Sequence, residues 1–467
     1  MSCLAVILAF FFVTFTDKGG NDKIALSPEA LELREQRGIS LDSLDYGVCP
    51  SYIESLRIKG IRVCYTSRWM NGATIETTEA QAEAIAKLAF VKSVEYTGTT
   101  GDESVVTPPK MLRAQAYSEE NDWRPQLEMM NLLQLHEKGY KGQGVTIAVI
   151  DGGFTNLYTT LMFASIRENG QLLGVYDFAD DTLEIFGKGS EHGSMCLGLI
   201  AGNREDYQGA ANQASFYAIR SEEISYETPK EADNWIAAIE KSDSLGVWIA
   251  TTSLGYSLFD DSELDYEYSR LDGKSYRASY AAKIATRKGM LLCVAAGNSA
   301  QKPAWPWISV PADADSILTV GAVAADSVIA KFSSYGPTAD GRIKPDVVAW
   351  GESACVFNPN TDNLKTGNGT SFATPLIAGL AACLWSAYPD ETNMQIRDRI
   401  IQAGHLYGEA VNFYGNGIPN AMKAYDGKTT LQEQRILSVS SAKKVLVGGQ
   451  MIIERNGEQY SIMGQKL

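Results

Sequence analysis

Only three histidines occur in the 467 residues, His136, His192 and His405, so few positions can supply an acid–base group that titrates near neutrality. His136 stands in Gln134-Leu-His-Glu-Lys138, a polar-faced helical pattern that predicts a surface residue. His405 follows a helix end in Ala403-Gly-His-Leu-Tyr407 and reads as structural. His192 differs, because Glu191-His-Gly-Ser-Met-Cys-Leu-Gly-Leu-Ile-Ala-Gly202 sets it at the start of a helix of small residues. A lone histidine there is more often a satisfied core residue. Its weight depends on the groups the fold can bring to it.

Asp151 ends the apolar run Val145–Ile150 and is followed by Gly152-Gly153. It reads as a plain Asp-Gly turn or as a working residue at the carboxyl end of a parallel strand. In that place an aspartate can fix a histidine's tautomer and stabilise the imidazolium it becomes. Ser371 lies in Gly367-Asn-Gly-Thr-Ser-Phe-Ala-Thr-Pro-Leu-Ile-Ala-Gly-Leu-Ala-Ala-Cys-Leu-Trp385, the opening of an all-apolar, buried helix. As a cap it is ordinary. As a nucleophile it would share its helix N-terminus with free N–H groups and a partial positive charge suited to an oxyanion. Pro375 is expected within the first turn, where a missing N–H costs nothing. Asn298, in Ala295-Ala-Gly-Asn-Ser299, is a turn residue or a second oxyanion donor through its amide.

Other chemistries lack their residues. There is no H-E-x-x-H for zinc, no P-loop, and no G-x-S-x-G elbow. Gly139-Tyr-Lys-Gly142-Gln-Gly144 precedes a strand and so does not cradle a dinucleotide. No metal site or cofactor is expected. None of the seven cysteines pairs at C-x-x-C spacing, and Cys196, Cys293 and Cys383 lie in apolar runs that favour buried free thiols. No disulfide is expected. A formal net charge of −15 repels phosphate, which argues against nucleic acid as a partner.

The elements that must position these groups change character along the chain. Residues 1–9 resemble a truncated export signal, too short to span a bilayer and without a basic residue before Lys18. It runs directly into a strand at Phe10–Thr16. Residues 10–97 alternate strand and helix patterns and predict a small α+β domain. Residues 98–122, with Gly98, Gly101, Pro108 and Pro109, read as an exposed connector where proteolysis concentrates. From 123 to 428, the runs Val145–Ile150, Ser215–Ile219, Val247–Ala250 and Met290–Ala296 lack alternation. They predict strands buried on both faces, hence a three-layer α/β domain around a mostly parallel sheet. Residues 429–467 read as a short β-meander, with Asn456-Gly457 as a hairpin turn.

Taken in order, Ala148-Val-Ile-Asp-Gly-Gly153, His192-Gly-Ser-Met-Cys-Leu197, Ser253-Leu-Gly255, Ala295-Ala-Gly-Asn298 and Gly369-Thr-Ser-Phe-Ala-Thr-Pro375 resemble the motifs of the subtilase family. The resemblance covers about residues 123–427. It implies a secreted serine endopeptidase in which Asp151 orients, His192 is the base, Ser371 attacks and Asn298 stabilises the oxyanion. It also implies that Ser253, Leu254, Gly255, Tyr256, Ala295 and Gly297 border the substrate, a protein or peptide. Residues 10–97 resemble a subtilase propeptide, an intramolecular inhibitor removed on maturation. The finer likeness is to subtilases of Bacteroidetes-type bacteria, in which C-terminal β-tails can act as type IX sorting signals. Departures are Ser194 for the usual Thr, Thr374 for a smaller residue, and Tyr256, which is expected to reshape a subsite wall. Gly202–Gly209 is compact and lacks the insertion that holds the strong calcium of subtilisin, which leaves only a weaker calcium site open. A non-catalytic subtilase-like binding or scaffold protein is the alternative.

Overall fold

The computed structural model describes residues 8–99, 122–180, 190–223 and 225–427, with three short strands beyond them. Residues 1–7, nearly all of the connector, 428–441 and the Asn456-Gly457 turn lie outside the described residues.

The N-terminal domain is built on β1 (Ala9–Phe15). Its alternation decides the domain's two faces, because successive strand side chains point to opposite sides. Phe11, Val13 and Phe15 enter a core with Ile53, Leu56, Ile75 and Ile85. Phe10 and Phe12 point the other way. Four antiparallel strands follow the order β2-β3-β1-β4, with β2 at Arg62–Ser67, β3 at Gly72–Thr77 and β4 at Val91–Gly98. Helices α1 (Pro28–Gln36), α2 (Pro50–Ile58) and α3 (Glu79–Ile85) complete the domain. Ser27 caps α1 by accepting from Ala30 N, with Pro28 at the first position as the sequence suggests.

The central sheet of the larger domain has seven strands among the described residues: β5 (Thr146–Asp151), β6 (Leu172–Asp177), β7 (Ser215–Arg220), β8 (Ile249–Thr252), β9 (Leu291–Ala295), β10 (Leu318–Val323) and β11 (Val347–Trp350). They form one sheet in the order β11-β10-β9-β8-β5-β7-β6, and every pairing is parallel. One face is covered by α4 (His192–Ala201) and α7 (Thr370–Ala387), the other by α5 (Pro229–Ser244) and α6 (Arg277–Arg287). Helix α7 is long and apolar enough to cross a membrane, yet 89% of it is buried inside this domain, and it serves as the core helix. Strands 442–447, 450–455 and 458–461 form a separate antiparallel sheet.

The structure corrects two expectations here. His136 is buried, not a surface residue: its Nε2 lies 2.9 Å from the Ala210 carbonyl, and its ring meets Cys383. Pro375 lies well inside α7, six residues past the Gly369 cap, rather than in the first turn.

Candidate active site

Strand β5 lies next to β8 in the sheet's middle, so its carboxyl end opens where the strand order reverses, the usual site of chemistry in such folds. Asp151 is its last residue and is fully buried. Asp151 Oδ1 accepts from Gly152 N at 2.7 Å and meets His192 Nδ1 at 2.7 Å. His192 is the first residue of α4, where Ser190 Oγ accepts from its backbone N–H. Gly193 is required by this approach, since a Cβ there would collide with the Gly153 carbonyl and come within 2.8 Å of the Asp151 Cβ.

Burial alone would favour the neutral imidazole. The Asp151 carboxylate, together with Cys196, outweighs that effect and holds the His192 pKa well above the ordinary histidine range. Cys196 lies one turn along α4, its Sγ 3.8 Å from His192 Nδ1 and 3.4 Å from the Ser371 carbonyl. Burial pushes the Cys196 thiol upward, so it is a neutral group packed beneath the imidazole.

Ser371 is the second residue of α7, where backbone N–H groups have no intrahelical partner. Pro375 denies the Ser371 carbonyl its helical N–H, and Ser253 Oγ supplies a bond instead at 2.9 Å. In return Ser371 Oγ donates to the Ser253 carbonyl at 3.3 Å. No hydrogen bond joins Ser371 to His192 in this resting state, a looseness common before substrate binds.

Asn298 follows β9, and its Oδ1 accepts from Thr370 N at 2.8 Å and Thr370 Oγ1 at 3.0 Å. Its Nδ2 lies on the side of Gly369. Gly369 has a φ of 156°, and the point its absent Cβ would occupy lies 3.5 Å from Asn298 Nδ2 and 3.6 Å from Ser371 N. A side chain at position 369 would therefore stand beside both groups.

Around this centre, Ser253, Leu254 and Gly255 follow β8, and Gly297 follows β9, all with some solvent exposure. Ala295 is buried at the end of β9. Tyr256 is fully buried and bridges to Val310, with N–H to Val310 O at 2.8 Å, so its ring stands in the core and not on a cleft wall. Its hydroxyl donates to Glu222 Oε1 at 2.6 Å. Glu222 was not singled out in the sequence. Its Cβ faces Gly152, beside Asp151, and burial pushes its carboxyl up to about 8. The only signal was its place just after the β7 strand, in Arg220-Ser-Glu-Glu223.

An aspartate–histidine pair and a helix-borne serine at the carboxyl edge of a parallel sheet, with an α+β domain laid against the same unit, define a serine peptidase that carries a pro-domain. A model of the subtilase family matches residues 142–417, and one of the Bacteroidota peptidase S8 propeptide domain matches residues 10–111. The chain belongs to the subtilase family and is a subtilisin-like serine protease made as a zymogen. Subtilisin NAT of Bacillus subtilis subsp. natto is 29% identical over 344 residues, 71% of this chain and 81% of that protein. A subtilisin of Bacillus pumilus is 30% identical over 293 residues, 62% of this chain and 94% of the relative. The crystal structure of MycP1 from the ESX-1 type VII secretion system shares the fold, with a TM-score of 0.53 at 20% identity, covering 68% of this chain and 91% of that one.

Proposed function

We propose that Ser371, His192 and Asp151 form the catalytic triad of an exported endopeptidase, with Asn298 as an oxyanion donor. The observation that carries this reading is the 2.7 Å Asp151–His192 bond at the strand end, with Ser371 at the second position of a helix, where a backbone N–H has no intrahelical partner. The Ser371 hydroxyl leaves the Ser253 carbonyl and gives its proton to His192, and Oγ attacks the peptide carbonyl. Asp151 stabilises the imidazolium. The oxyanion accepts from Ser371 N–H and Asn298 Nδ2. His192 then protonates the departing amine, and a water activated by the same histidine releases the acyl group. Ser253, Leu254 and Gly255 pair with the substrate main chain as an added strand, which gives binding with little demand on side-chain sequence.

The same reading makes the first bond cut the chain's own. Strand β4 ends at Gly98, packed so closely on Thr228 at the start of α5 that a Cβ would lie 2.7 Å from the threonine side chain. The connector leaves the pro-domain from that point. Full-length Ser371→Ala should stay uncut while the wild type is cleaved between about residues 97 and 121. A fluorophosphonate should label Ser371 in the mature wild type. An unlabelled Ser371 favours the scaffold alternative, and equal cleavage of both forms removes self-maturation. The tail from 429 as a type IX sorting signal belongs to this reading too; its deletion should keep the protein cell-associated.

A further inference from the structure

Strands β8 and β9 are neighbours in the sheet, and their pairing stops at Thr252 and Val294. Beyond that point two arms lead away, Ser253-Leu254-Gly255 from β8 and Ala296-Gly297 from β9. Both stay tied to the start of α7. Ser253 exchanges bonds with Ser371, and Gly297 N donates to Thr370 Oγ1 at 3.2 Å. The gap between the arms therefore opens beside Ser371 and Asn298.

Ser309 stands in that gap. A Cβ on Gly255 would collide with the Ser309 hydroxyl and lie 2.8 Å from the Ser309 Cβ. A Cβ on Gly297, whose φ is 109°, would lie 3.4 Å from the same hydroxyl and 3.1 Å from that of Ser334. Gly255 is exposed and Gly297 half-buried, whereas Ser309 and Ser334 are buried, so the two serines lie at the bottom and the glycines at the rim.

The floor is braced from both sides. Ser309 N donates to the Ala296 carbonyl at 3.2 Å, and Val310 exchanges backbone bonds with Tyr256 at 2.8 and 3.0 Å. Ser334 N donates to the Gly297 carbonyl at 3.0 Å, and Ser334 Oγ accepts from Ser299 N at 3.0 Å. The backbone that carries Ser309 is thus bonded to each arm. Rotation about its Cα–Cβ bond moves the hydroxyl but leaves the Cβ where it crowds Gly255.

We propose that Ser309 sets the size of the substrate side chain next to the scissile bond: with Gly255 and Gly297 as its rim, it makes the gap a shallow slot that takes glycine, alanine or serine and rejects leucine and aromatic residues. This rests on the reading of Ser371 as the nucleophile. A peptide paired along Ser253–Gly255 places side chains alternately toward and away from the gap, and the residue whose carbonyl reaches Ser371 sits at its mouth. Ser309 takes no part in making or breaking bonds. It acts through the space it denies, and one methylene without room is worth about 10- to 200-fold in discrimination.

The test assays the mature protein on acyl-tetrapeptide p-nitroanilides that differ only in the last residue, alanine, leucine or phenylalanine. The value of kcat/KM should be at least 30-fold higher for alanine than for phenylalanine. Ser309→Gly should lower that ratio at least tenfold, through a rise in the phenylalanine value. A wild-type preference for leucine or phenylalanine overturns the proposal, as does an unchanged ratio in Ser309→Gly. Should the glycine variant not mature, Ser309→Ala shortens the same side chain by one atom and should raise the phenylalanine value at least threefold; no rise overturns the slot. Fluorophosphonate labelling keeps the two readings apart. Protein labelled at Ser371 with the wrong preference loses only the slot, while unlabelled protein that cuts no peptide loses the nucleophile and the slot with it.

Discussion

Ser253 and Ser371 exchange hydrogen bonds, the Ser253 hydroxyl donating to the Ser371 carbonyl at 2.9 Å and the Ser371 hydroxyl to the Ser253 carbonyl at 3.3 Å. The first bond replaces the one Pro375 lacks. The second parks the proposed nucleophile against the segment that would hold the substrate. A proline one turn after the serine thus ties the proposed nucleophile's helix to the proposed substrate-binding edge.

Ser253→Ala removes the first bond and keeps the carbonyl that makes the second. The expected loss is about 1 kcal/mol of stability, or about 2–4 °C in unfolding midpoint for a domain of a few hundred residues. Peptidase kcat should stay within about tenfold, since no reacting group is lost. Thermal unfolding of the Ser371→Ala background, with and without Ser253→Ala, measures the first quantity free of self-digestion. An unchanged midpoint would show that the Cys196 thiol alone satisfies the Ser371 carbonyl.

The pH profile should be displaced upward. The Asp151 carboxylate raises the pKa of His192 against the effect of burial, so the ring stays protonated, and useless as a base, above its ordinary range near 6.5. Activity should therefore rise with pH through a midpoint above about 6.5. Asp151→Asn removes the raising charge and the orienting acceptor together, so the midpoint should fall while kcat drops by about 10⁴. Initial rates on a peptide substrate from pH 5 to 10 provide the check. A wild-type midpoint below 6 would contradict the geometry.

Much of this site was legible because its strands are buried on both faces and so read as unbroken apolar runs: β5, β7, β8 and β9. The missed strands explain themselves. Strand β6 is a half-buried edge with Gly174 in it, and β10 is broken by Thr319 and Gly321. Strand β11 has only four residues and follows Pro345. In the pro-domain, α2 went unseen because Cys49 gives its N-terminus no side-chain cap. His136 was misplaced because its burial comes from Ala210 and Cys383, 74 and 247 residues away. Arg34, Arg68, Asp243 and Lys288 look like surface charges in sequence; only the pairing of two domains buries them. Tyr256 was read from its place after Ser253-Leu-Gly255, but its ring turns inward to Glu222.

Asn298→Ala should lower kcat by about 10²–10³ with little change in KM, because the amide acts on charge that appears only in the transition state. Thr370→Val tests what aims it. Its side chain supplies one of the two bonds to Asn298 Oδ1 and accepts from Gly297 N at 3.2 Å, while the backbone bond at 2.8 Å survives. The expected loss is a smaller fall in kcat, about tenfold, with fluorophosphonate labelling of Ser371 slowed in proportion. Equal effects of the two substitutions on KM and none on kcat would move the oxyanion donor elsewhere.

The last prediction turns on Cys196. Its sulfur, a His192 ring nitrogen and an Asp151 oxygen lie within 4.8 Å of one another, all three buried. Soft cations choose thiolate and imidazole over water, and binding one would displace the thiol proton and occupy a His192 ring nitrogen that the proposed catalysis needs. Mercury(II) should therefore inhibit the enzyme at roughly stoichiometric concentration, and added dithiothreitol should restore it. Burial raises the Cys196 thiol, so neutral alkylating reagents such as iodoacetamide should react slowly by comparison. Cys196→Val keeps a small apolar side chain under the imidazole and should retain activity within about tenfold, since the thiol donates only a weak bond. The decisive comparison is mercury titration of wild type against Cys196→Val. Protection by the substitution assigns the inhibition to this cluster, whereas equal inhibition of both forms would place the sensitive thiol at another cysteine, such as Cys64, the half-exposed one among those described.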